Sequence, residues 1–254
     1  MQGGRPVVSE TLWMMRHLYH QMKGQAHTKR QRLLNWLRFW STYQQYGRLS
    51  HSHSGSLLGN LWPCTDDHTT ETPVSPNYLY QEVWAFQRIM QQKPSLHIDV
   101  GSHHRFVALL STLVPITMID IRPLPVELDG LRFQTGSILE MPFEDGSVAS
   151  LSSLCVVEHI GLGRYGDPLD ANGTEKAIEE LKRVLAPGGN LYISLVLDDE
   201  NRTFFNACRA LSEPYFFQLI TPLEVRDRAY VKDNTFGRNC ANGFCVGCYH
   251  LQKP

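Results

Sequence analysis

The chain has 254 residues, of which 42% are hydrophobic and 19% charged, which is typical of a globular protein with one large domain and an appendage. Its net charge is −1, no run of about 18 apolar residues could span a membrane, and its first residues carry no hydrophobic signal core. Six cysteines in a chain of this length do not indicate a disulfide framework, so we expect reduced thiols and a cytoplasmic location.

The first 50 residues form a basic arm, with eight Lys or Arg residues against Glu10 alone. Residues 28–48 predict a helix, because apolar side chains recur at helical spacing: Leu33, Trp36, Leu37, Trp40 and Tyr43. We expect this arm to pack on the rest of the chain, as a lid over a cofactor cleft. Peripheral contact with an anionic membrane is the alternative. Nucleic acid is not expected as a partner, since the remaining residues are acidic overall.

A domain boundary is predicted between a basic helical arm with its loop (1–74) and an α/β domain (75–254). The domain opens with a helix that is capped by Ser75 and closed by Pro94. The predicted buried face of this helix consists of Tyr80, Val83, Trp84 and Ile89.

Strands and helices alternate from residue 96 onward. Strands are predicted at 96–100, 116–121, 131–136, 147–159, 190–197, 223–231 and 244–251. Helices are predicted at 105–114 and 174–185, and "APGG" as a turn before the strand at 190–197. The apolar face of the helix at 174–185 consists of Ala177, Ile178, Leu181, Val184 and Leu185. This pattern predicts an α/β fold with a doubly wound, mostly parallel sheet of seven strands.

Polar residues collect at the predicted carboxyl ends of four strands. They are Asp99, Gly101 and Ser102 after the first, Asp120 and Ile121 after the second, Ser137 and Ile138 after the third, and Glu158 and His159 after the fourth. Ligands of doubly wound sheets bind at this edge, and an acid about 20 residues after a glycine turn can bind ribose hydroxyls. A single strand-end Asp is more often a cap, but the order of all four sets favours a ligand site.

The segment "EHIGLGRYGDPLD" after the fourth strand combines glycines with groups that bind or transfer protons. His159 is the predicted general base, because its usual pKa is near neutrality, and Glu158 is a second candidate or orients His159. Arg164, Tyr165 and Asp167 are predicted to bind substrate, with Arg164 on a carboxylate or phosphate. The alternative is a structural loop in which Arg164 pairs with Asp167 and His159 caps the strand.

The cysteines near the C-terminus invite a zinc interpretation, since Cys245 and Cys248 have ligand spacing and Cys240 is near. The sequence has no second pair to complete four ligands. Apolar alternation through Phe244 and Val246 favours a final strand with buried thiols, so no metal site is expected.

Residues 96–200 resemble the class I S-adenosylmethionine-dependent methyltransferases. The first motif is matched by "HIDVGS", the acidic second strand by "TMIDIRP", and the approach to the fourth strand by "GSILEMPFEDGSVASLSSLCVVEHI". The most specific match is "ELKRVLAPGGNLYISL" at the fifth strand. Within roughly residues 75–250, "IDIRPLPVELDGL" and "EHIGLGRYGDPLDANGTEKAIEELKRVLAPGGNLYISL" resemble an uncharacterised methyltransferase-like family, domain of unknown function 268.

The resemblance implies S-adenosylmethionine as cofactor and a Rossmann-like sheet with a helical N-terminal extension. The implied cofactor-binding residues are Asp99, Gly101 and Ser102 in the turn, Asp120 and Ile121 at the ribose, and Ser137 and Ile138 beside the adenine. We expect methyl transfer to a small polar or glycan-type acceptor. The alternative is a catalytically inactive fold that serves as a nucleotide-binding or scaffold module.

Two departures from the methyltransferase pattern motivate that alternative. The second and third glycines of the turn are replaced by His103 and Arg105. Because glycine allows close backbone approach to a ligand, His103 must either point away or narrow the pocket. Arg105 could pair with the cofactor's carboxylate or remain solvated.

Overall fold

The computed structural model describes residues 29–49, 63–240 and 243–254, and the chain divides into two compact units, Met1–Pro73 and Val74–Pro254. In the first unit, helix α1 spans Lys29–Leu49, which confirms the predicted helix. Its Arg38 donates from Nη2 to the carbonyl oxygen of Thr65 (3.1 Å). The roles of the arm as a lid or as a membrane contact stay predictions.

The second unit opens with helix α2, Pro76–Gln92, which begins with proline as predicted. The prediction that Val83 lies on its buried face is wrong, because that side chain is 49% exposed. Gln81 takes part in the buried face instead: its Oε1 accepts hydrogen bonds from Ser194 Oγ (2.7 Å) and from Cys155 Sγ (3.0 Å). These bonds turn the helix so that the buried residues are Gln81, Trp84, Ala85 and Ile89.

The remaining elements follow the predicted alternation of strands and helices. The strands are β1 (His97–Val100), β2 (Ile116–Asp120), β3 (Leu131–Thr135), β4 (Val148–Leu154), β5 (Leu185–Leu197), β6 (Arg202–Phe204), β7 (Cys208–Ala210), β8 (Glu224–Lys232), β9 (Thr235–Gly237) and β10 (Cys245–Gln252). The helices are α3 (His104–Ser111), α4 (Gly173–Val184) and α5 (Glu213–Ile220), with a 3₁₀ turn at Val157–His159.

The main sheet has the strand order β3-β2-β1-β4-β5-β10-β8-β9, and strands β1 to β5 run parallel to one another. Strand β10 is antiparallel to both β5 and β8. In the described part of the chain this sheet has eight strands rather than the predicted seven, because the short β9 pairs with β8. Strands β6 and β7 form a separate hairpin. The predicted doubly wound, mostly parallel fold is confirmed.

Two core clusters cover the sheet, since successive residues of a strand point to opposite faces. In β2, for example, Ile119 belongs to one cluster and Met118 to the other. The first cluster includes the apolar faces of α4 and α5, and the second includes those of α2 and α3. All five apolar positions predicted for α4 are buried, as its regular helical spacing indicated.

Three predicted boundaries differ from the structure. The strand expected at 147–159 ends at Leu154, because Cys155 has a left-handed backbone (φ +53°). The predicted "APGG" turn is a bulge in β5, which begins at Leu185. Between two successive pairings, residues 186–189 of β5 lie opposite Ala149 of β4, and Gly188 (φ +72°) accommodates the bend. Helix α3 ends three residues early, where the hydroxyls of Ser111 and Thr112 donate to preceding carbonyl oxygens (2.8 and 2.7 Å).

The expectation of fully reduced thiols is wrong, because Cys240 and Cys245 form a disulfide. The two residues meet where the chain enters β10, a proximity that their separation in sequence did not indicate. Cys248 is buried in β10, as expected for the final strand. No helix among the described residues is long and apolar enough to cross a membrane. Residues 29–49, 63–240 and 243–254 contain no group of three or more His, Cys, Asp or Glu arranged to hold a metal ion.

Candidate active site

A cavity of about 730 Å³ lies at the carboxyl ends of β1, β2 and β4. The chain leaves β1 for a helix on one face of the sheet and leaves β4 for a helix on the other, so a crevice opens between these strands. The volume is in the range of cavities that enclose small ligands or cofactors. Predicted site residues that line it are Gly101, Ser102, Asp120, Ile121, Ser137, Ile138, His159, Tyr165 and Asp167.

Asp99 shapes the turn after β1 without lining the cavity. It is fully buried, and its Oδ1 accepts a hydrogen bond from the Ser102 backbone N–H (3.1 Å). Ser102 Oγ in turn accepts one from the backbone N–H of Leu154 in β4 (3.0 Å). Gly101 then turns with φ +69°, a conformation that favours glycine. The predicted cofactor turn is therefore fixed by the buried side chain of Asp99, on the side away from the cavity.

His97 belongs to the same buried network, and sequence reasoning missed it. Its Nδ1 lies 2.7 Å from Ser150 Oγ and its Nε2 lies 2.9 Å from Ser152 Oγ. Burial lowers the pKa of His97 to about 3, so the ring is neutral. Ser152 donates its only proton to Asp99, so it must accept one from His97 Nε2. The available signal was a histidine two residues before Asp99, on the same face of a short buried strand.

At the end of β2, Asp120 lines the cavity and is contacted by Arg122. The Arg122 backbone N–H donates to Asp120 Oδ1 (2.8 Å), and its side-chain Nε lies 3.4 Å from the same oxygen. Beyond β3, the backbone N–H of Leu139 donates to Ser137 Oγ (3.1 Å). Together with Ile121 and Ile138, these residues give the cavity one acidic and one apolar wall.

His103, which replaces a motif glycine, lines the cavity without closing it. Its Nδ1 lies 3.4 Å from Oε1 of Glu82 on α2. Burial raises the pKa of Glu82 to about 7, and burial also lowers the pKa of His103. Arg105 is not among the residues that line the cavity. Glu82 was not predicted as a site residue, because helix α2 is distant from the motif in sequence.

His159 lies in the 3₁₀ turn after β4 and faces the cavity. Its Nδ1 is 2.7 Å from the carbonyl oxygen of Ala207, which can only accept, so Nδ1 carries the proton and Nε2 has a lone pair. Burial lowers the pKa of His159 to about 4. A neutral imidazole with an available Nε2 is the form that a general base requires.

Glu158 is completely buried and does not line the cavity. Within the described part of the chain, neither carboxyl oxygen has a partner at normal hydrogen-bond geometry, although the Cys155 thiol is near enough to affect the pKa of Glu158; Oε1 lies 4.0 Å from His159 Nε2. Burial raises the pKa of Glu158 to about 7. Glu158 can thus influence His159, but it cannot contact a substrate directly.

Asp167 organises the glycine-rich loop after the 3₁₀ turn. Its carboxylate accepts hydrogen bonds from the backbone N–H groups of Gly161 (2.7 Å), Gly163 (3.3 Å) and Tyr165 (3.2 Å). The alternative pairing with Arg164 does not occur, because Arg164 Nη1 donates to the carbonyl oxygen of Ala207 (3.0 Å). Arg164 itself is not among the lining residues.

Tyr78 and Cys155 also line the cavity, and sequence reasoning did not single them out. Burial raises the pKa of both groups, so they are present as a phenol and a thiol. Tyr78 comes from the first turns of α2, and Cys155 is the strained residue that ends β4. A left-handed non-glycine residue at a strand end was the kind of feature that only coordinates reveal.

Solved structures similar to this one are class I methyltransferases in fold. The N-methyltransferase NodS from Bradyrhizobium japonicum, in complex with S-adenosyl-L-homocysteine, has 16% identity and a TM-score of 0.52, covering 84% of this chain and 98% of that one. The 1,6-didemethyltoxoflavin-N1-methyltransferase of Burkholderia thailandensis has 14% identity and a TM-score of 0.54, with coverage of 85% and 90%. The cyclase SpnF has 15% identity and a TM-score of 0.54, with coverage of 69% and 80%.

The chain therefore has the fold of the class I S-adenosylmethionine-dependent methyltransferases. The model of the family described as "Caenorhabditis protein of unknown function, DUF268" matches residues 144–215, which confirms the predicted resemblance there. No curated protein sequence matches the chain. Because SpnF is a cyclase, the fold alone does not define the reaction.

Proposed function

We propose that the protein is an S-adenosylmethionine-dependent methyltransferase that acts on a small polar or glycan-type acceptor. The observation that carries this proposal is the open cavity at the strand switch, where Gly101, Asp120 and Ile138 meet. Similar structures of two N-methyltransferases hold S-adenosylhomocysteine, which supports the same cofactor for this fold.

The residues around the cavity fit the cofactor. Asp120 can accept hydrogen bonds from ribose hydroxyls, and Ile121 and Ile138 offer apolar surface to an adenine. A Cβ atom at Gly101 would lie 3.1 Å from Val156 Cγ1, a tight contact, and the positive φ of +69° also favours glycine at this turn. When bound, S-adenosylmethionine supplies a methyl group on a positively charged sulfur. His103 leaves this space open.

His159 is the proposed base for the acceptor. Its Nδ1–H is fixed by the Ala207 carbonyl oxygen, so Nε2 can take a proton from an acceptor hydroxyl or amine. The resulting imidazolium would be stabilised by an ionised Glu158, 4.0 Å away. The remaining contribution of the site is positioning, which the rigid strand ends provide.

The proposal does not extend to the predicted cytoplasmic location, which rested on fully reduced thiols. The Cys240–Cys245 disulfide counts against a strongly reducing compartment, because disulfides persist mainly in oxidising environments.

Calorimetric titration of the protein with S-adenosylmethionine and S-adenosylhomocysteine tests the cofactor assignment. We expect both to bind, and Asp120→Ala to weaken binding about tenfold or more, because ribose hydroxyls lose a charged acceptor. Glu224→Ala, an exposed carboxylate on β8, is the matched control. Absence of binding at millimolar concentration would refute the proposal and favour the alternative of an inactive scaffold or another nucleotide.

A further inference from the structure

Two arginines flank one aromatic ring beside the proposed base. The Cζ atom of Arg122 lies 4.5 Å from the centre of the Tyr165 ring, and that of Arg164 lies 5.0 Å from the same centre. The rings of Tyr165 and His159 are 5.8 Å apart. Arg122 and Tyr165 line the cavity. The Tyr165 ring holds both guanidinium groups near the site by cation–π contacts.

The two charges are only partly balanced. Arg122 pairs with Asp120 at 3.4 Å. Arg164 forms no ion pair with a carboxylate among the described residues: its Nη1 donates to the carbonyl oxygen of Ala207 (3.0 Å) and lies 3.5 Å from His159 Nδ1. The nearby Asp167 is occupied by three backbone N–H groups. The guanidinium of Arg164 therefore has N–H donors that no acidic side chain of the site takes.

Unpaired arginine donors next to a cavity favour an oxyanion ligand. A guanidinium is planar, stays charged and presents its N–H groups as a fork that matches two oxygens of a carboxylate or phosphate. Stacking on Tyr165 reduces the freedom that Arg122 and Arg164 would lose on binding. Both arginines are exposed to water in the free protein, so an anionic group of the acceptor can reach their N–H groups.

We propose that the acceptor carries an anionic group, a carboxylate or a phosphate, held by Arg122 and Arg164, which both contact the Tyr165 ring beside His159. This inference rests on the proposed methyltransferase function and narrows its substrate class. It assigns to Arg122 a part in acceptor binding in addition to its contact with Asp120. The anion fixes the acceptor so that its hydroxyl or amine faces His159 Nε2.

Solution NMR of the full-length protein, saturated with S-adenosylhomocysteine, tests the anion site. Inorganic phosphate and malonate are titrated separately while the arginine Nε–Hε signals are followed. We expect saturable shifts at Arg122 and Arg164. Arg164→Gln should raise the dissociation constant about tenfold or more, and Arg164→Lys should raise it less, because lysine keeps the charge but loses the fork.

Arg226→Gln is the matched control, since Arg226 is a half-exposed arginine that pairs with Glu224 on β8. Its substitution should leave phosphate and malonate binding unchanged. Tighter binding of phosphate would indicate a phosphorylated acceptor, and tighter binding of malonate a carboxylic acid; both support the site.

Two results would overturn the inference while leaving the methyltransferase proposal intact. The first is that the Arg122 and Arg164 signals shift with anion concentration without saturating, and that the Arg226 signal shifts equally. Such shifts would be an effect of ionic strength and not of binding. Expulsion of phosphate by S-adenosylhomocysteine would mean that the arginines hold the carboxylate of the cofactor itself. Failure of S-adenosylhomocysteine to bind would instead refute the proposed function, and the inference with it.

Discussion

Glu158 and His159 are adjacent in the chain, and burial moves their pKa values in opposite directions. The pKa of Glu158 rises to about 7 and that of His159 falls to about 4, because both groups are more stable uncharged away from water. Near pH 7, His159 is therefore neutral, while Glu158 exchanges its proton. His159 thus has a free lone pair at neutral pH, but a pKa of about 4 makes it a weaker base than the near-neutral histidine that the sequence predicted. Ionisation of Glu158, whose Oε1 lies 4.0 Å from His159 Nε2, would strengthen that base.

His159→Ala should lower turnover by about 100-fold or more, because general base catalysis commonly contributes that much. Affinity for S-adenosylhomocysteine should change by less than about threefold, since the proposed role of His159 is proton transfer from the acceptor and the ribose is assigned to Asp120. Steady-state kinetics and calorimetry on the same sample separate the two effects. Equal loss of turnover and affinity, or loss of folding, would support the interpretation of His159 as a strand cap.

Glu158→Gln should stabilise the fold at high pH. Burial raises the Glu158 pKa from 4.5 to about 7, so the buried carboxyl contributes fully below pH 4.5 and this contribution is lost as the pH rises through about 7. Glutamine remains neutral throughout. Its advantage in unfolding free energy should grow from below about 1 kcal/mol at pH 5 to about 3 kcal/mol at pH 8.

Urea unfolding at both pH values measures this difference. Glu179→Gln, on the exposed side of α4, serves as control and should show little change with pH. A Glu158→Gln advantage that is the same at pH 5 and pH 8 would contradict a raised pKa in the folded protein.

Among single residues, the sequence predicted the site residues that directly follow strands. It did not predict those that come to the site from distant parts of the chain. Gly101 and Asp120 were predictable, because the ends of parallel strands share one edge of a sheet. Glu82 on α2 and Ala207 beside β7 were not, since nothing in the sequence places them near the motif. Arg122 was visible in "IDIRP", but its contact with Tyr165 depends on how a loop 40 residues later folds back.

The loop from Gly161 to Gly173 is an element built by close backbone contacts. Gly161 donates its N–H to Asp167 and accepts from the backbone N–H of Asp170 (2.9 Å). A Cβ atom at Gly161 would clash with the carbonyl oxygen of Asp170, whereas one at Gly166 would meet nothing within 4 Å. Both glycines have positive φ angles, +82° and +90°. The two positions thus share backbone strain and differ in available space.

Gly161→Ala should therefore cost more stability than Gly166→Ala. A left-handed backbone costs alanine about 1–2 kcal/mol at either position, and the clash at Gly161 should add about 2 kcal/mol or more. Urea unfolding measures the totals, and hydrogen exchange at Gly163 and Tyr165 shows whether the loop opens. Equal losses of stability at the two positions would mean that the backbone at Asp170 moves away from the new Cβ atom at little cost, which would contradict the prediction.

The element boundaries that differ from prediction have local causes. Apolar residues continue through "SLCVVEH", so periodicity alone extended β4, whereas the left-handed Cys155 ends it. In "APGG", the glycines indicated a turn, but pairing with β4 and β10 absorbs them as a bulge. In both cases contacts with other parts of the chain decide where the strand begins or ends. Those contacts cannot be predicted from the residues of the segment itself.

At the scale of the whole molecule, the buried residues of both core clusters lie between Trp84 and Leu251. The sheet and its helices thus obtain their hydrophobic stabilisation from the unit Val74–Pro254. The doubly wound order could be predicted from alternation, because each helix must cross between parallel strands. The order and antiparallel direction of β10, β8 and β9 at the other end of the sheet could not be predicted by this rule. The disulfide between Cys240 and Cys245, at the start of β10, could not be predicted by it either.

Removal of residues 1–73 should leave a cooperatively folded protein that binds S-adenosylhomocysteine, since both core clusters and the lining residues of the cavity are retained. If the arm is a lid, affinity should fall by a few-fold in the shortened chain, and neither chain should sediment with anionic liposomes. Neutral liposomes control for apolar adsorption. Sedimentation of the full chain alone, on anionic liposomes and fading with salt, would contradict the lid and assign the arm to a membrane surface.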